Sequence, residues 1–229
     1  MNIPVHLITW LPCWRIIPSR FPPIDLFERV ADPADLEAIY ELESLTNDRL
    51  REEVGELQLV PSQDRISGRG TGYIMAAFTH LNPAGSRFSD GTYGVFYAAS
   101  TLDTAIAETR YHREQFLRAT SEPPMELDMR VLLADLHQQL HYIRGRQQEL
   151  PDVYALDDYS AAQALWKRLR AQNSWGIAYD SVRHRSGECA AVIRPPALNN
   201  CRQERHLCYV WDGTRISRMY RKSSLRQIP

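Results

Sequence analysis

The sequence predicts a single α+β domain, and three observations carry that expectation. Over Met125–Val131 apolar and polar residues alternate strictly, which reads as a half-buried strand. Tyr159, Ala162, Leu165, Trp166 and Leu169 recur at helical spacing instead. Segments of both kinds follow one another without the regular β-α-β alternation of a doubly wound sheet. At 229 residues the chain is long enough for one well-cored domain and short for two.

From the start, Val5 to Ile17 is apolar and β-prone and stops at Pro18. Asp32-Pro33 puts a capping side chain ahead of a proline at the first helical position, with Leu36, Ile39 and Tyr40 as the apolar face behind it. Asn47 is a second cap, opening a short charged helix through Leu57. These segments make residues 1–60 a strand and helical elaboration packed on a core of residues 61–229. Gly68-Arg69-Gly70-Thr71-Gly72 has the composition of a phosphate-binding loop but lacks the strand–GxGxxG–helix context and the P-loop lysine. It reads as a flexible turn bordering a cleft, ahead of the apolar run Tyr73–Phe78.

Asn82-Pro83-Ala84-Gly85 is a turn, and the continuous apolar and aromatic run Tyr93–Ala99 a buried strand. Ser100 and Asp103 have the spacing of a helix start, and the helix runs to about Leu117 with Leu102, Ile106 and Phe116 facing inward. Gly176–Ser181 and Cys189–Ile193 are two further strands around a basic loop. Tyr209–Thr214 carries Asp-Gly, the signal of a hairpin turn.

Bulk chemistry excludes several classes. The formal net charge of −1 leaves a weak overall field, whereas a general nucleic-acid binder carries a positive excess. Met1–Trp10 has no basic region followed by a long apolar run, and no stretch approaches the ~20 apolar residues of a membrane span, so a cytoplasmic protein is expected. Cys13, Cys189, Cys201 and Cys208 form no CxxC pair and read as reduced thiols. His137 and His141 have i, i+4 spacing but neither an HExxH glutamate nor a third ligand, so no metal is expected.

The chemistry-bearing residues concentrate in one stretch, Ser86-Arg87-Phe88-Ser89-Asp90-Gly91-Thr92-Tyr93-Gly94-Val95-Phe96-Tyr97-Ala98-Ala99-Ser100, continued by Thr101-Leu102-Asp103-Thr104-Ala105-Ile106-Ala107-Glu108. An arginine precedes a strand, a tyrosine stands near its end, and a glutamate follows two turns into the next helix. Loop, strand end and helix start can converge at one rim of a sheet. Downstream, Gly176-Ile177-Ala178-Tyr179-Asp180-Ser181 leads into Arg183-His184-Arg185-Ser186-Gly187.

This arrangement resembles the RES family, named for an arginine, a glutamate and a serine. Arg87, Tyr97, Glu108 and Ser181 match its pattern in order and spacing over roughly residues 65–195. The family often has Gly-Gly-Arg-Trp-Asn where this chain has Gly85-Ser86-Arg87-Phe88-Ser89. The early arginine of the family corresponds to Arg15 in Trp14-Arg15, with Arg65 and Arg69 as alternatives.

The resemblance implies a fold like that of ADP-ribosylating toxins and attack on NAD⁺ at the nicotinamide–ribose bond. NAD⁺ is then a substrate, with no bound cofactor. The acceptor is phosphate, water or, in the alternative of a mono-ADP-ribosyltransferase, a protein; a non-enzymatic interaction module is the remaining alternative. The toxin would be silenced by an Xre-like helix-turn-helix antitoxin, as a homodimer in the complex, with DNA contacted only through that partner.

The residue types suit this chemistry. A carboxylate, Glu108, stabilises an oxocarbenium-like ribose. Planar guanidinium groups read phosphate, with Arg87 foremost and Arg15, Arg69, Arg183 and Arg185 as helpers. Tyr97 can stack on nicotinamide, and Ser181 can bond a ribose or the amide. No Ser–His–Asp arrangement marks Ser181 as a nucleophile.

Overall fold

Two long strands form the frame. In a computed structural model that describes residues 2–45 and 47–223, strand β1 (Val5–Pro18) pairs antiparallel with β3 (Met125–Tyr142), from Val5 opposite His141 to Pro18 opposite Met129. The final residues of the expected 61–229 core, 224–229, lie outside the described residues. Along its first part β3 also pairs with β6 (Leu198–Trp211), which turns into β7 (Ile216–Arg221). The hairpin read at Asp212-Gly213 is present: Asp212 Oδ1 accepts from the amides of Thr214 and Arg215, both at 2.9 Å.

At its other end β3 runs parallel to β4 (Gly176–Asp180), which pairs with β5 (Glu188–Val192), which pairs with β2 (Phe96–Ala99). Strand β2 returns to β1 at Trp14 opposite Ala99. The order is β1-β2-β5-β4-β3-β6-β7, and the β1–β3 pairing closes the first five strands on themselves. With its helices this is a mixed α+β fold, as the irregular order of segments predicts.

The helices fill three sides. α1 (Asp25–Arg29), α2 (Leu36–Ser44), α3 (Asp48–Val54) and α4 (Thr71–Thr79) bury Phe27, Leu36, Val54 and Met75 against Phe96, Ala98 and Leu132 of the sheet. Side chains of this size each contribute about 1.5–3 kcal/mol when fully buried. α6 (Ser160–Arg170) buries Ala162, Leu165, Trp166 and Leu169, the stripe its spacing predicts, against Phe88, Tyr179 and Ala191. α5 (Leu102–Ala119) packs Ala105 and Leu117 on Met129, Val131 and Trp211.

The structure corrects several sequence expectations. On α5 the inward residue of the last turn is Leu117, 2% exposed, while Phe116 stands 49% exposed. Its cap is Thr101, whose hydroxyl accepts from the amide of Thr104. His137 and His141 lie on a strand, where i, i+4 residues sit far apart along one face. Each is bound elsewhere, His137 to Thr9 and His141 to Ser174. Asn47 caps α3 as expected, but that helix stops at Gly55 (φ 73°), short of Leu57.

The glycine-rich stretch is a pinned helix start rather than a flexible turn. Gly70 is the N-cap of α4, with φ 86°, and a Cβ there would stand 2.4 Å from the Cys201 carbonyl oxygen. The amides of Gly70 and Gly72 donate to the carboxylate of Glu28, at 2.6 and 2.8 Å. The protein's own anion therefore fills the place at which a helix N-terminus would take a phosphate. Glu28→Ala leaves both amides unpaired, and we expect it to cost about 2 kcal/mol. In calorimetric melting this appears as a fall of roughly 5 °C in Tm. Glu28→Gln, which keeps an acceptor without the charge, should lose less; equal Tm values for all three proteins would remove this role from Glu28.

Candidate active site

Ser181 follows the last residue of β4, where the chain leaves the sheet in a tight loop. The Ser181 amide donates to Gly187 O at 2.8 Å, and the Gly187 amide to His184 O at 2.9 Å. Ser181 Oγ accepts from the amides of Arg183 (3.1 Å) and His184 (2.9 Å). With both lone pairs engaged, its proton is directed outward, and it donates to Glu108 Oε1 at 2.5 Å. A hydroxyl held in this way orients a carboxylate; it is not poised to attack.

Glu108 reaches this point from α5, whose start is tied to the same loop. His184 Nδ1 meets Thr104 Oγ1 at 2.8 Å, and Thr104 Oγ1 meets Thr101 Oγ1 at 2.8 Å. Gly187 lies so close that a Cβ would stand 2.8 Å from the Thr104 side chain. Cys189 of β5 points its thiol at Glu108 Oε1, 3.9 Å away. Burial, then the Glu108 charge, push that thiol well above its usual range, and burial does the same to the Tyr179 phenol, so both stay protonated. Glu108 Oε2 has no hydrogen-bond partner among the described residues, so one carboxylate oxygen is fixed and the other is not.

The other candidate residues divide into two groups. Arg87 is 7% exposed; its Nη1 donates to Val153 O (2.8 Å) and Ala155 O (2.9 Å), and its guanidinium lies 4.7 Å over the Tyr159 ring. The Tyr97 hydroxyl accepts from the Phe88 amide at 2.9 Å and meets Ser86 Oγ at 2.7 Å, so it holds the loop that carries Arg87. Burial pushes that phenol up to about 12. Arg183 stacks on the Tyr111 ring at 3.3 Å, donates to Leu156 O and faces Asp157 at 3.5 Å. Tyr111 is on α5 one turn beyond Glu108. Arg183 and Tyr111 flank the Glu108–Ser181 pair, the Arg183 amide bonding Ser181 Oγ, whereas the side chains of Arg87 and Tyr97 bond neither member of it among the described residues.

Arg15 and Arg69 likewise make no contact to Glu108 or Ser181 among the described residues, and they also stand clear of the segment that Arg87 and Arg183 hold. Arg15 lies over Phe96, which packs on the opposite face of β2 from Tyr97, and donates to the Tyr97 carbonyl at 3.0 Å. Burial lowers it to about 10, which leaves it cationic at neutral pH. Arg69 and Arg185 are exposed, and neither has a partner among the described residues. Of the alternatives for the early arginine, Arg65 is tied to Val60 O and Glu37.

His112 adds a neutral ring beside the site. Crowding by the protein, then the charges of Arg183, Arg113 and Arg87, hold its imidazole down to about 4, although part of the residue reaches solvent. Tyr111 and His112 lie three and four residues after Glu108, a helical spacing that is the signal that could have found them, whereas Asp157 and Cys189 have no such spacing. A separate cleft of ≈ 510 Å³, lined by Asp64, Tyr93, Arg170 and Arg194 among others, lies away from Glu108. Among the described residues no helix is long and apolar enough to cross a membrane.

Comparison with known proteins identifies the family of the chain. The family model described as the RES domain matches residues 63–212, which contain Arg87, Tyr97, Glu108 and Ser181. The uncharacterized protein y4oC of Sinorhizobium fredii (strain NBRC 101917 / NGR234) is 34% identical over 209 residues, covering 90% of this chain and 86% of that protein. In shape, the chain overlaps loosely with one from the M. tuberculosis MbcT–MbcA toxin–antitoxin complex, at TM-score 0.42 and 11% identity over 87% of this chain and 86% of that one.

Proposed function

The chain belongs to the RES-domain family, and from that membership we propose that it is the toxin of a toxin–antitoxin pair that consumes NAD⁺ by breaking the nicotinamide–ribose bond. The observation that carries this reading is the carboxylate of Glu108, one oxygen fixed by Ser181 and the other without a partner among the described residues. When the C1′–N1 bond breaks, its electron pair returns to the pyridinium nitrogen and neutral nicotinamide departs. The ribose is left with positive charge shared between C1′ and the ring oxygen. An oriented carboxylate in a partly buried site opposes that charge, and it does so more strongly in the transition state than in the substrate.

Arg183, beside the pair, supplies a fork for the diphosphate. Arg87, whose guanidinium is engaged with backbone carbonyls, shapes the site's wall. The acceptor that captures the ribose is inorganic phosphate or water. A helix-turn-helix antitoxin covering the site would keep the activity silent, and DNA contact would come through it.

Purified protein freed of any partner is incubated with NAD⁺, with and without inorganic phosphate, and the products are resolved by mass. Phosphate-dependent ADP-ribose phosphate identifies a phosphorylase; free ADP-ribose under both conditions identifies a glycohydrolase. Intact NAD⁺ under both conditions, with the protein shown to be folded and partner-free, removes this reading.

A further inference from the structure

Arg87, Tyr111 and Arg183 stand on three different parts of the chain, Tyr111 one turn from Glu108 and Arg183 bonded through its amide to Ser181, yet all three grip one segment, residues 150–159. Arg87 donates to Val153 O and Ala155 O. Arg183 donates to Leu156 O and faces the Asp157 carboxylate at 3.5 Å, while the Tyr111 hydroxyl donates to the same carboxylate. We propose that this segment is a strap across the Glu108–Ser181 pair, and that Asp157 is its built-in anion, holding on Arg183 the place that a phosphate of the substrate takes. Asp157 thereby sets the affinity of the site for phosphate-bearing ligands. The proposal deepens the NAD⁺-consuming reading and rests on it for the identity of the substrate.

The strap has a buried root and an exposed tip. Val153 and Tyr154 are buried, and the Tyr154 hydroxyl donates to Ile143 O at 2.8 Å. Beyond them the tip turns outward: Leu156 is 53% exposed and the Asp157 side chain 77%. The contacts at the tip are the ones that a ligand can replace. Arg183 is nearly covered, with a side chain 13% exposed, and its plane is fixed against Tyr111. A guanidinium immobilised on an aromatic face presents its edge to a planar or tetrahedral anion. That edge now meets a carbonyl and a single, mostly solvated carboxylate. A diphosphate brings more charge and more acceptors to the same edge, so exchange favours it. Once Asp157 leaves, the tip loses its ionic hold, and the free oxygen of Glu108 is reachable from that side.

The test uses inorganic pyrophosphate as the probe, titrated calorimetrically into the full chain and into Asp157→Asn, Tyr111→Phe, Arg183→Ala and the Asp157→Asn/Arg183→Ala double variant. Because the Asp157 side chain is 77% exposed, Asp157→Asn is expected to bind pyrophosphate only about two- to fivefold more tightly than the parent. Tyr111→Phe should move the same way by less, and the gain should vanish when Arg183 is absent. Unchanged affinity in Asp157→Asn, an equal gain without Arg183, or no binding to any of the proteins overturns the proposal. The outcome is separable from the reaction itself. A gain in affinity without NAD⁺ consumption keeps the strap and removes the reaction, whereas NAD⁺ consumption with no gain does the reverse.

Discussion

Glu108→Gln is expected to lower NAD⁺ turnover by about a thousandfold while leaving the melting temperature within a degree or two of the parent. The substitution keeps the side chain's volume and an oxygen for the Ser181 hydroxyl, so the loop 181–187 retains its anchor. What disappears is the negative charge opposite the developing ribose cation. Substrate binding should change little, because the ground-state ribose carries less of that charge; the loss should therefore fall on kcat rather than KM. Ser181→Ala should cost less than Glu108→Gln, since it frees the carboxylate to rotate without discharging it. In the double variant the second change should add almost nothing, because Ser181 acts through Glu108. Turnover by Glu108→Gln within threefold of the parent would move the chemistry elsewhere.

Glu108 and Ser181 stand close to local sequence signals, and the residues packed near them do not, for one physical reason. Ser181 follows a strand end, and Glu108 stands two turns into a helix whose cap, Thr101, is one position beyond the Ser100 that the sequence suggests. Their partnership across 73 positions of sequence was legible only as a family pattern. Strand β3 shows the limit of periodicity. It alternates visibly over Met125–Val131, where it pairs with β6 and, from Met129, also with β1, but its register against β6 then shifts beside Leu132 and Leu133. Buried on both faces and interrupted by bulges, the run Val131-Leu132-Leu133-Ala134 no longer alternates.

Phe116 and Leu117 are adjacent apolar residues on α5, and only tertiary packing decides which of them turns inward. Glu28 under the glycine loop, and Asp157 on Arg183, are contacts between distant segments for which composition and spacing offer no local rule. The same distance in sequence hid the structural side of Arg87. A lone arginine ahead of a strand reads as a ligand-binding residue, and nothing near it announces that its donors meet two backbone carbonyls in the segment before α6.

That placement leads to the second large effect. Arg87→Met should destabilise the protein by about 3–5 kcal/mol, comparable to other breaks in buried, charged hydrogen-bond networks. Arg87 is 7% exposed, and its guanidinium bridges Val153 O and Ala155 O from one nitrogen while stacking on Tyr159. Methionine fills part of the volume but leaves both carbonyls without that donor, and the strap loses its attachment at the root. For a chain of this size such a change corresponds to roughly 10 °C or more in Tm. Arg87→Lys keeps a cation but loses the planar fork, and should fall between the two. Activity should fall in step with the folded fraction and with the strap's order, and the remaining folded enzyme should show a much smaller change in KM than in Tm. The opposite split, an unchanged Tm with KM raised tenfold, would make Arg87 a direct reader of the substrate's phosphates, and would mean that its bonds to Val153 and Ala155 are exchanged for the ligand as those of Arg183 are proposed to be.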